Sequence, residues 1–172
     1  APNCLNLAIS PDGSQVAFVL TPEGATQIML RAANALDLTQ VPGSEGGVCP
    51  FFSPDSKWLG FVSGGSMKKV RLAGGSPLDI APMDTADFRG AAWLTSELIV
   101  FSENASAPLS MVSANGGAPK PLTSLVAEAK ERTHRWPYAL PGGKAGLFTV
   151  GTSDSPDNYD DSRFEAVVAA TG

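Results

Sequence analysis

The chain has one histidine, His134, which is followed by Arg135 and Trp136. This triplet invites comparison with the His-Arg-Asp catalytic loop of protein kinases, where the aspartate acts as the catalytic base. Trp136 stands where that aspartate would be, and the chain has no glycine-rich phosphate loop, Val-Ala-Ile-Lys strand or Asp-Phe-Gly motif in the required order. The sequence therefore argues against kinase activity in this chain.

Hydrolase chemistry at His134 would require a serine nucleophile and a carboxylate. No serine has glycines at both flanking positions of a Gly-x-Ser-x-Gly elbow; Ser66 comes closest, with Gly64 two residues before it but Lys68 two after. A histidine on an inner strand is more often a structural hydrogen-bonding group. We predict no catalytic activity, and keep as the alternative a hydrolase or lyase site formed by His134, Arg135 and Arg89.

Clustered oxygen ligands occur in the acidic segment 151–162, which holds Asp154, Asp157 and Asp160 beside Asn158 and Asp161. Ca²⁺ prefers such ligands, but the Asp-x-Asp-x-Asp-Gly spacing with a distal glutamate is absent. We interpret the segment as a solvated loop, with a weak calcium site as the alternative. Two cysteines and one histidine give no four-ligand zinc set, and no cofactor is predicted.

The charge and hydropathy of the chain limit the classes of partner that it could bind. The 172 residues carry a net charge of −5, which is unlike the basic surface that binds nucleic acid. No apolar run reaches the roughly 18 to 20 residues that span a bilayer. We expect a protein partner or a small ligand, no nucleic acid, and no membrane segment in this chain.

The cysteines, Cys4 and Cys49, are 45 residues apart. This separation is close to the repeat length described next, so we place them on equivalent strands of neighbouring units. Such strands need not approach the Cα separation of about 5.5 Å that a disulfide prefers. We interpret both as small buried residues with free thiols, with a disulfide as the alternative, and the compartment stays open.

Short apolar runs flank a recurrent turn. We interpret these runs as the strands that carry the candidate site residues. The turns begin at Ser10, Ser53, Leu94 and Leu140, which are spaced by 43, 41 and 46 residues. Repeats of 40 to 50 residues with several strands each are typical of propeller blades. We predict an all-β, partial β-propeller of about four four-stranded blades, at about 1–43, 44–83, 84–124 and 125–172. The predicted strands are 5–9, 16–20, 27–31, 38–41, 48–52, 58–62, 67–72, 77–81, 88–93, 98–101, 109–112, 119–123, 134–140, 147–150 and 164–169.

The fourth unit stops one strand short of this pattern. An unclosed set of blades exposes apolar faces and strand edges, which proteins normally pair or cover. We therefore expect either a piece of a longer propeller or self-association through open blade edges, for example eight blades from two chains. The segment 124–132 before this unit is predicted to be one helical turn or an inter-blade loop.

Ser10-Pro11-Asp12-Gly13, the strands around it and Gly74-Gly75-Ser76-Pro77 resemble the Ser-Pro-Asp-Gly β-propeller repeat, the PD40 or TolB-like class related to WD40 repeats. The segments Lys68–Gly75, Met111–Pro119 and His134–Pro137 resemble the C-terminal propellers of bacterial eukaryote-like serine/threonine kinases. The resemblance implies a bacterial protein, with an extracytoplasmic position as one option. It also implies a recognition scaffold or the sensor part of a signalling protein.

Four residues near the starts of the predicted inner strands are candidates for a binding site at the mouth of a central channel: Asn6, Arg89, His134 and Arg135. Arg89 and Arg135 would receive an acidic ligand. The alternative for the two arginines is pairing with carboxylates between blades. The function expected from these observations is a non-catalytic scaffold for protein interaction or ligand sensing.

Overall fold

The computed structural model of the chain describes residues 4–84, 86–156 and 158–168. These residues form antiparallel sheets that follow one another along the chain. Blade 1 comprises β1 (Leu7–Ile9), β2 (Gln15–Leu20), β3 (Gln27–Ala32) and β4 (Leu38–Gln40), and blade 2 comprises β5 (Val48–Phe52), β6 (Trp58–Ser63), β7 (Ser66–Arg71) and β8 (Leu78–Pro82). Blade 3 comprises β9 (Ala91–Trp93), β10 (Leu98–Ser102), β11 (Leu109–Ser113) and β12 (Lys120–Pro121). Blade 4 comprises β13 (Glu131–Ala139), β14 (Ala145–Thr152) and β15 (Arg163–Val168).

This architecture confirms the predicted all-β, partial propeller with an incomplete last blade. Strand order follows chain order within every sheet, and the innermost strands β1, β5, β9 and β13 contact one another in succession. Short 3₁₀ turns occur at Pro22–Gly24 and Ala127–Ala129, so the segment before blade 4 contains one short turn within a loop. Among the described residues, no helix has the length and apolar character needed to cross a bilayer.

The Ser-Pro-Asp turns are held by their own side chains. The Ser10 hydroxyl donates to Asp12 Oδ1 over 2.6 Å, and the Ser14 N–H donates to the same oxygen over 2.9 Å. Ser53 and Asp55 repeat this arrangement in blade 2. The Ser10 hydrogen bond, together with those from Ser14, lowers the pKa of Asp12 to about 2. Asp12 and Asp55 therefore stabilise their own turns.

Three apolar clusters fill the spaces between neighbouring blades. Blade 1 packs Ala17 and Ile28 against the aromatic side chains of Phe52 and Phe61 in blade 2. The clusters between blades 2 and 3 and between blades 3 and 4 follow the same plan, centred on Phe101 and on Phe148. Each sheet thus buries a face against its neighbour, and the stack positions the inner strands side by side.

The prediction of free thiols was wrong, because Cys4 and Cys49 form a disulfide with a Cα separation of 5.6 Å. The two residues are not at equivalent positions: Cys49 precedes Ser53 by four residues, whereas Cys4 precedes Ser10 by six. This offset brings the start of the innermost strand of blade 1 beside that of blade 2. The disulfide therefore joins two blades directly.

A left-handed residue recurs four positions before the turn in three blades. Cys49 has φ of 56°, Gly90 of 108° and Trp136 of 50°. Positive φ is uncommon for residues other than glycine, and β5 and β13 shift register at these points. Such bulges bend the inner strands, which shapes the concave side described next.

Candidate functional site

The innermost strands and their turns enclose a concave cavity of about 1,090 Å³. All four blades contribute to its lining, which comprises residues 4–5, 7–11, 49–52, 54, 90–96 and 136–144. In a propeller the innermost strands surround a central channel. The cavity is therefore the part of the channel that these four blades form.

Apolar and aromatic side chains dominate the cavity wall. Leu5, Leu7, Ile9 and Tyr138 expose much of their surface. Trp93 also borders the cavity, and its buried indole Nε1 has no hydrogen-bond partner in the part of the chain that the structure describes. Among the described lining residues, Lys144 is the only charged one, and no histidine, aspartate or glutamate is present. The wall is suited to binding apolar groups.

None of the four residues predicted at the channel mouth lines this cavity. Asn6 is exposed, and its carbonyl oxygen accepts a hydrogen bond from the Val19 N–H. Arg89 forms an ion pair with Asp87 in its own blade. His134 and Arg135 are buried. Arg89 is close enough to Arg135 for its charge to affect the Arg135 pKa. Ligand binding by the four residues stays a prediction.

His134 belongs to a buried hydrogen-bond network between blades 3 and 4. Its Nδ1 lies 2.7 Å from Thr123 Oγ1, which also accepts a hydrogen bond from the Leu109 N–H. Its Nε2 lies 3.2 Å from Glu131 Oε2. The Thr123 hydroxyl is thus free to donate to Nδ1, while Nε2 donates to the carboxylate. The imidazole has both nitrogens satisfied, as a structural role requires.

Glu131 is the most connected residue of this network. Its carboxylate accepts hydrogen bonds from the Val126 N–H and His134, and it forms an ion pair with Arg163. Burial acts to raise the pKa of Glu131, but these hydrogen bonds and the neighbouring positive charges outweigh it and hold the pKa below its usual value. The charged carboxylate therefore fixes the start of β13.

Thr123, His134 and Glu131 have the hydroxyl–imidazole–carboxylate order of a hydrolytic triad. The Thr123 oxygen is held by the Leu109 N–H, and none of the three residues lines the cavity. A nucleophile must reach its substrate in hydrogen-bonding geometry. The arrangement observed favours a structural role for this network.

Arg135 is a buried cation that donates hydrogen bonds to uncharged groups of the described residues. Its Nε donates to Thr133 Oγ1 over 3.0 Å, its Nη2 donates to the Ala105 carbonyl over 2.6 Å, and the guanidinium lies 5.1 Å from the Tyr159 ring. Burial lowers the pKa of Arg135, and the positive charge of Arg89 acts in the same direction. This side chain therefore joins blade 4 to blade 3 through a backbone carbonyl.

The carboxylates of the acidic segment 151–162 have separate partners. Asp154 forms a 2.7 Å ion pair with Lys130, and Asp160 accepts a hydrogen bond from the Asn158 side chain over 2.6 Å. Asp157, the third calcium candidate, lies outside the described residues. Within 4–84, 86–156 and 158–168, no three histidine, cysteine, aspartate or glutamate side chains are grouped to hold a metal ion.

The cavity wall itself was not predicted from the sequence. The available signals were the apolar residues of the inner strands and the prolines that follow Cys49 and Trp136. The disulfide adds Cys4 and Cys49 to the same wall. This cavity is therefore built mainly from apolar residues, which carry no catalytic or metal-binding signal in the sequence.

No protein-family model and no curated protein sequence matches the chain. Solved structures do. A candidate TolB from Agrobacterium tumefaciens is 16% identical with a TM-score of 0.72, over 95% of this chain and 60% of that one. TolB from Acinetobacter baumannii is 18% identical with a TM-score of 0.73, over 98% of this chain and 41% of that one. The β-propeller domain of the Trilobed protease from Pyrococcus furiosus is 13% identical with a TM-score of 0.59, over 96% of this chain and 55% of that one.

These likenesses show the fold, a TolB-like β-propeller. The chain spans less than two thirds of the length of each of these three proteins. The resemblance to kinase-associated propellers stays a prediction.

Proposed function

We propose that this chain is a non-catalytic recognition scaffold that binds an apolar segment of a protein partner, or a small apolar ligand, in the cavity between its innermost strands. The observation that carries the proposal is the nature of the lining: about 1,090 Å³ bordered by apolar and aromatic residues with Lys144 as its charged group. Binding sites are typically concave and mostly apolar with few polar groups.

The rigid base of the cavity supports this role. Each contributing strand belongs to a blade packed against its neighbours, and the disulfide between Cys4 and Cys49 fixes two of the strands. A preformed site loses less conformational entropy when it binds. Since disulfides persist in oxidising compartments, this bond also supports an extracytoplasmic position.

Leu5 is suited to a test of the site, because it lines the cavity and is exposed. A peptide selected from a random display library against the folded chain would be titrated into the protein and into Leu5→Glu. Leu36→Glu is the matched control, since Leu36 is exposed outside the cavity. We expect Leu5→Glu to weaken binding by at least about tenfold, because the peptide would meet an unpaired charge. Equal binding by both variants would contradict the proposal.

The alternative is a hydrolase or lyase site at His134, Arg135 and Arg89. It predicts turnover of some ester, peptide or glycan substrate that His134→Gln abolishes and Leu36→Glu leaves intact. Circular dichroism of the His134 variant would confirm that the fold survives. Turnover with this pattern would replace the scaffold by an enzyme.

A further inference from the structure

The turn between β11 and β12 carries a dipeptide whose two residues can react with each other. Asn115 is exposed and is followed by Gly116, and this is the only Asn-Gly pair in the sequence. The backbone nitrogen that follows an asparagine can attack the side-chain amide carbon and close a succinimide ring. Glycine has no Cβ, so it hinders this attack least and lets the backbone rotate towards it.

The same turn occurs in blade 2 without an asparagine. The Gly116 N–H closes its turn by donating to the carbonyl three residues earlier over 2.9 Å, as the Gly74 N–H does over 3.0 Å. Gly116 has φ of 95° and Gly74 of 109°. Ala73 occupies the position that corresponds to Asn115. The fold therefore does not require an asparagine in this turn.

A cation on blade 2 is fixed against the reactive side chain. The Lys69 ammonium group donates a hydrogen bond to Asn115 Oδ1 over 3.3 Å and lies 5.0 Å from the centre of the Trp58 ring. Attack at the amide carbon moves negative charge onto Oδ1. A donor that is already placed at such an oxygen stabilises the charge as it develops. Lys69 therefore favours closure of the ring.

Asn104 lacks this combination, although it lies in a loop of the same blade. The next residue, Ala105, has a Cβ that hinders the attack, and its N–H donates to Asp87 Oδ2 over 2.8 Å. The Asn104 Oδ1 accepts a hydrogen bond from the Ser106 N–H, which carries no charge. Asn104 is therefore an internal reference for the reactivity of Asn115.

We infer that Asn115 is a site of spontaneous deamidation promoted by Lys69. The Gly116 nitrogen leaves its turn hydrogen bond, loses its proton to solvent base and forms a bond to Asn115 Cγ. The bond from Cγ to Nδ2 breaks, and ammonia leaves. Water then opens the succinimide at either carbonyl, which gives aspartate or isoaspartate. Each conversion makes the net charge of −5 more negative by one.

The modification changes a contact between blades 2 and 3, outside the cavity. An aspartate at position 115 replaces the neutral acceptor of Lys69 by a carboxylate, which creates an ion pair between the blades. An isoaspartate instead lengthens the backbone by one carbon beside Gly117, whose N–H donates to the Ile80 carbonyl of blade 2 over 3.3 Å. The first product should strengthen this contact, and the second should weaken it.

Peptide mapping by mass spectrometry tests the inference on the folded 172-residue chain, incubated at mildly alkaline pH. We expect aspartate and isoaspartate to accumulate at position 115 while Asn104 stays intact. Lys69→Met should slow the conversion by about twofold to fivefold, the effect of losing an exposed charged contact. Lys68→Met is the matched control, since Lys68 is equally half-buried on β7 but pairs with Asp79.

Unfolding separates the effect of Lys69 from the reactivity of the dipeptide itself. In urea, where the two side chains are no longer held together, the parent protein and Lys69→Met should convert at equal rates. A merely structural role of Lys69 predicts the opposite sign in the folded protein, because a loosened turn would react faster. Conversion of Asn115 no faster than that of Asn104 would overturn the inference. A folded Lys69→Met variant that converts as fast as the parent protein, or faster, would overturn it as well.

Discussion

The interfaces between blades 1 and 2 and between blades 3 and 4 are held together by different chemistry. The first combines aromatic packing at Phe52 and Phe61 with the disulfide between Cys4 and Cys49. The second combines packing around Phe148 with the buried polar network of Glu131 and His134. The ion pairs of Glu131 lie within blade 4, and the hydrogen bond between His134 and Thr123 reaches blade 3. The fold thus combines a covalent link between one pair of blades with a hydrogen-bonded link between another. The packing of one blade against the next is therefore common to both interfaces, whereas the additional covalent or polar contacts differ from one interface to the other.

Of the changes considered, removal of the disulfide should cause the largest loss of stability. For the double variant Cys4→Ser and Cys49→Ser we expect the free energy of unfolding to fall by about 4 kcal/mol, because the bond closes a loop of some 45 residues. Urea unfolding of the oxidised protein and the variant gives the difference. The parent protein treated with dithiothreitol should match the variant, and a loss below about 1 kcal/mol would mean that blade packing alone holds the first interface.

Replacing the central carboxylate of the other interface should have the next largest effect. Glu131→Gln should lower the free energy of unfolding by about 2 to 3 kcal/mol, because it removes the charge that pairs with His134 and Arg163 in a buried setting. Glu165→Gln is the matched control, since Glu165 pairs with the same Arg163 at a half-exposed position. Exposed pairs contribute about 0 to 1 kcal/mol, so equal losses in both variants would show that burial does not strengthen the network.

The two interfaces should also differ in their response to acid. The pKa of Glu131 is lower in the folded protein than the usual value of a glutamate. The stabilisation it gives is therefore complete above the unfolded-state pKa and is lost as pH falls through the lower folded-state pKa. Stability measured from pH 7 to pH 2 should fall less steeply in Glu131→Gln than in the parent protein. In the cysteine variant the acid-dependent part should remain, and a flattened curve there would contradict the assignment.

The smallest effect concerns the turns beside the first interface. The Asp12 N–H donates to Ser56 Oγ over 3.2 Å, which links the turns of blades 1 and 2. Asp12→Asn keeps this backbone donor, so we expect only a slight loss of stability, which is present above pH 3.8 and disappears as pH falls through about 2. Carboxyl carbon NMR should give Asp12 a titration midpoint near 2. A midpoint near 3.8 would show that the Ser10 hydrogen bond does not persist in solution.

The sequence was sufficient for the repeat but not for the contacts between repeats. The strand predicted at 48–52 coincides with β5, and the Ser-Pro-Asp turns form as expected, because local turn chemistry and the alternation of apolar residues decide both. The strand predicted at 134–140 was placed too late. β13 begins at Glu131, where a buried partner for His134 outweighs the helix-forming residues just before it.

The candidate site was predicted less well, because it too depends on contacts between repeats. Arg135 and His134 attract notice by residue type, yet blade packing buries them, and burial depends on contacts between distant segments. The disulfide was missed because we expected that equivalent strands of neighbouring units need not come close enough for one, whereas the Cα atoms of Cys4 and Cys49 are 5.6 Å apart. Leu5 and Tyr138 carry no chemical signal in the sequence, and only the position of their strands places them on the cavity wall.

The order of the blades along the chain should decide where local unfolding begins. The main contacts of each blade are with the blades next to it in the chain, so stability should behave as a nearest-neighbour property along a line. Blade 1 is tied to blade 2 covalently, whereas blade 4 has no such tie to blade 3 among the described residues. Amide hydrogen exchange should therefore begin in β15 and advance towards blade 2, and reduction of the disulfide should let exchange start from both ends.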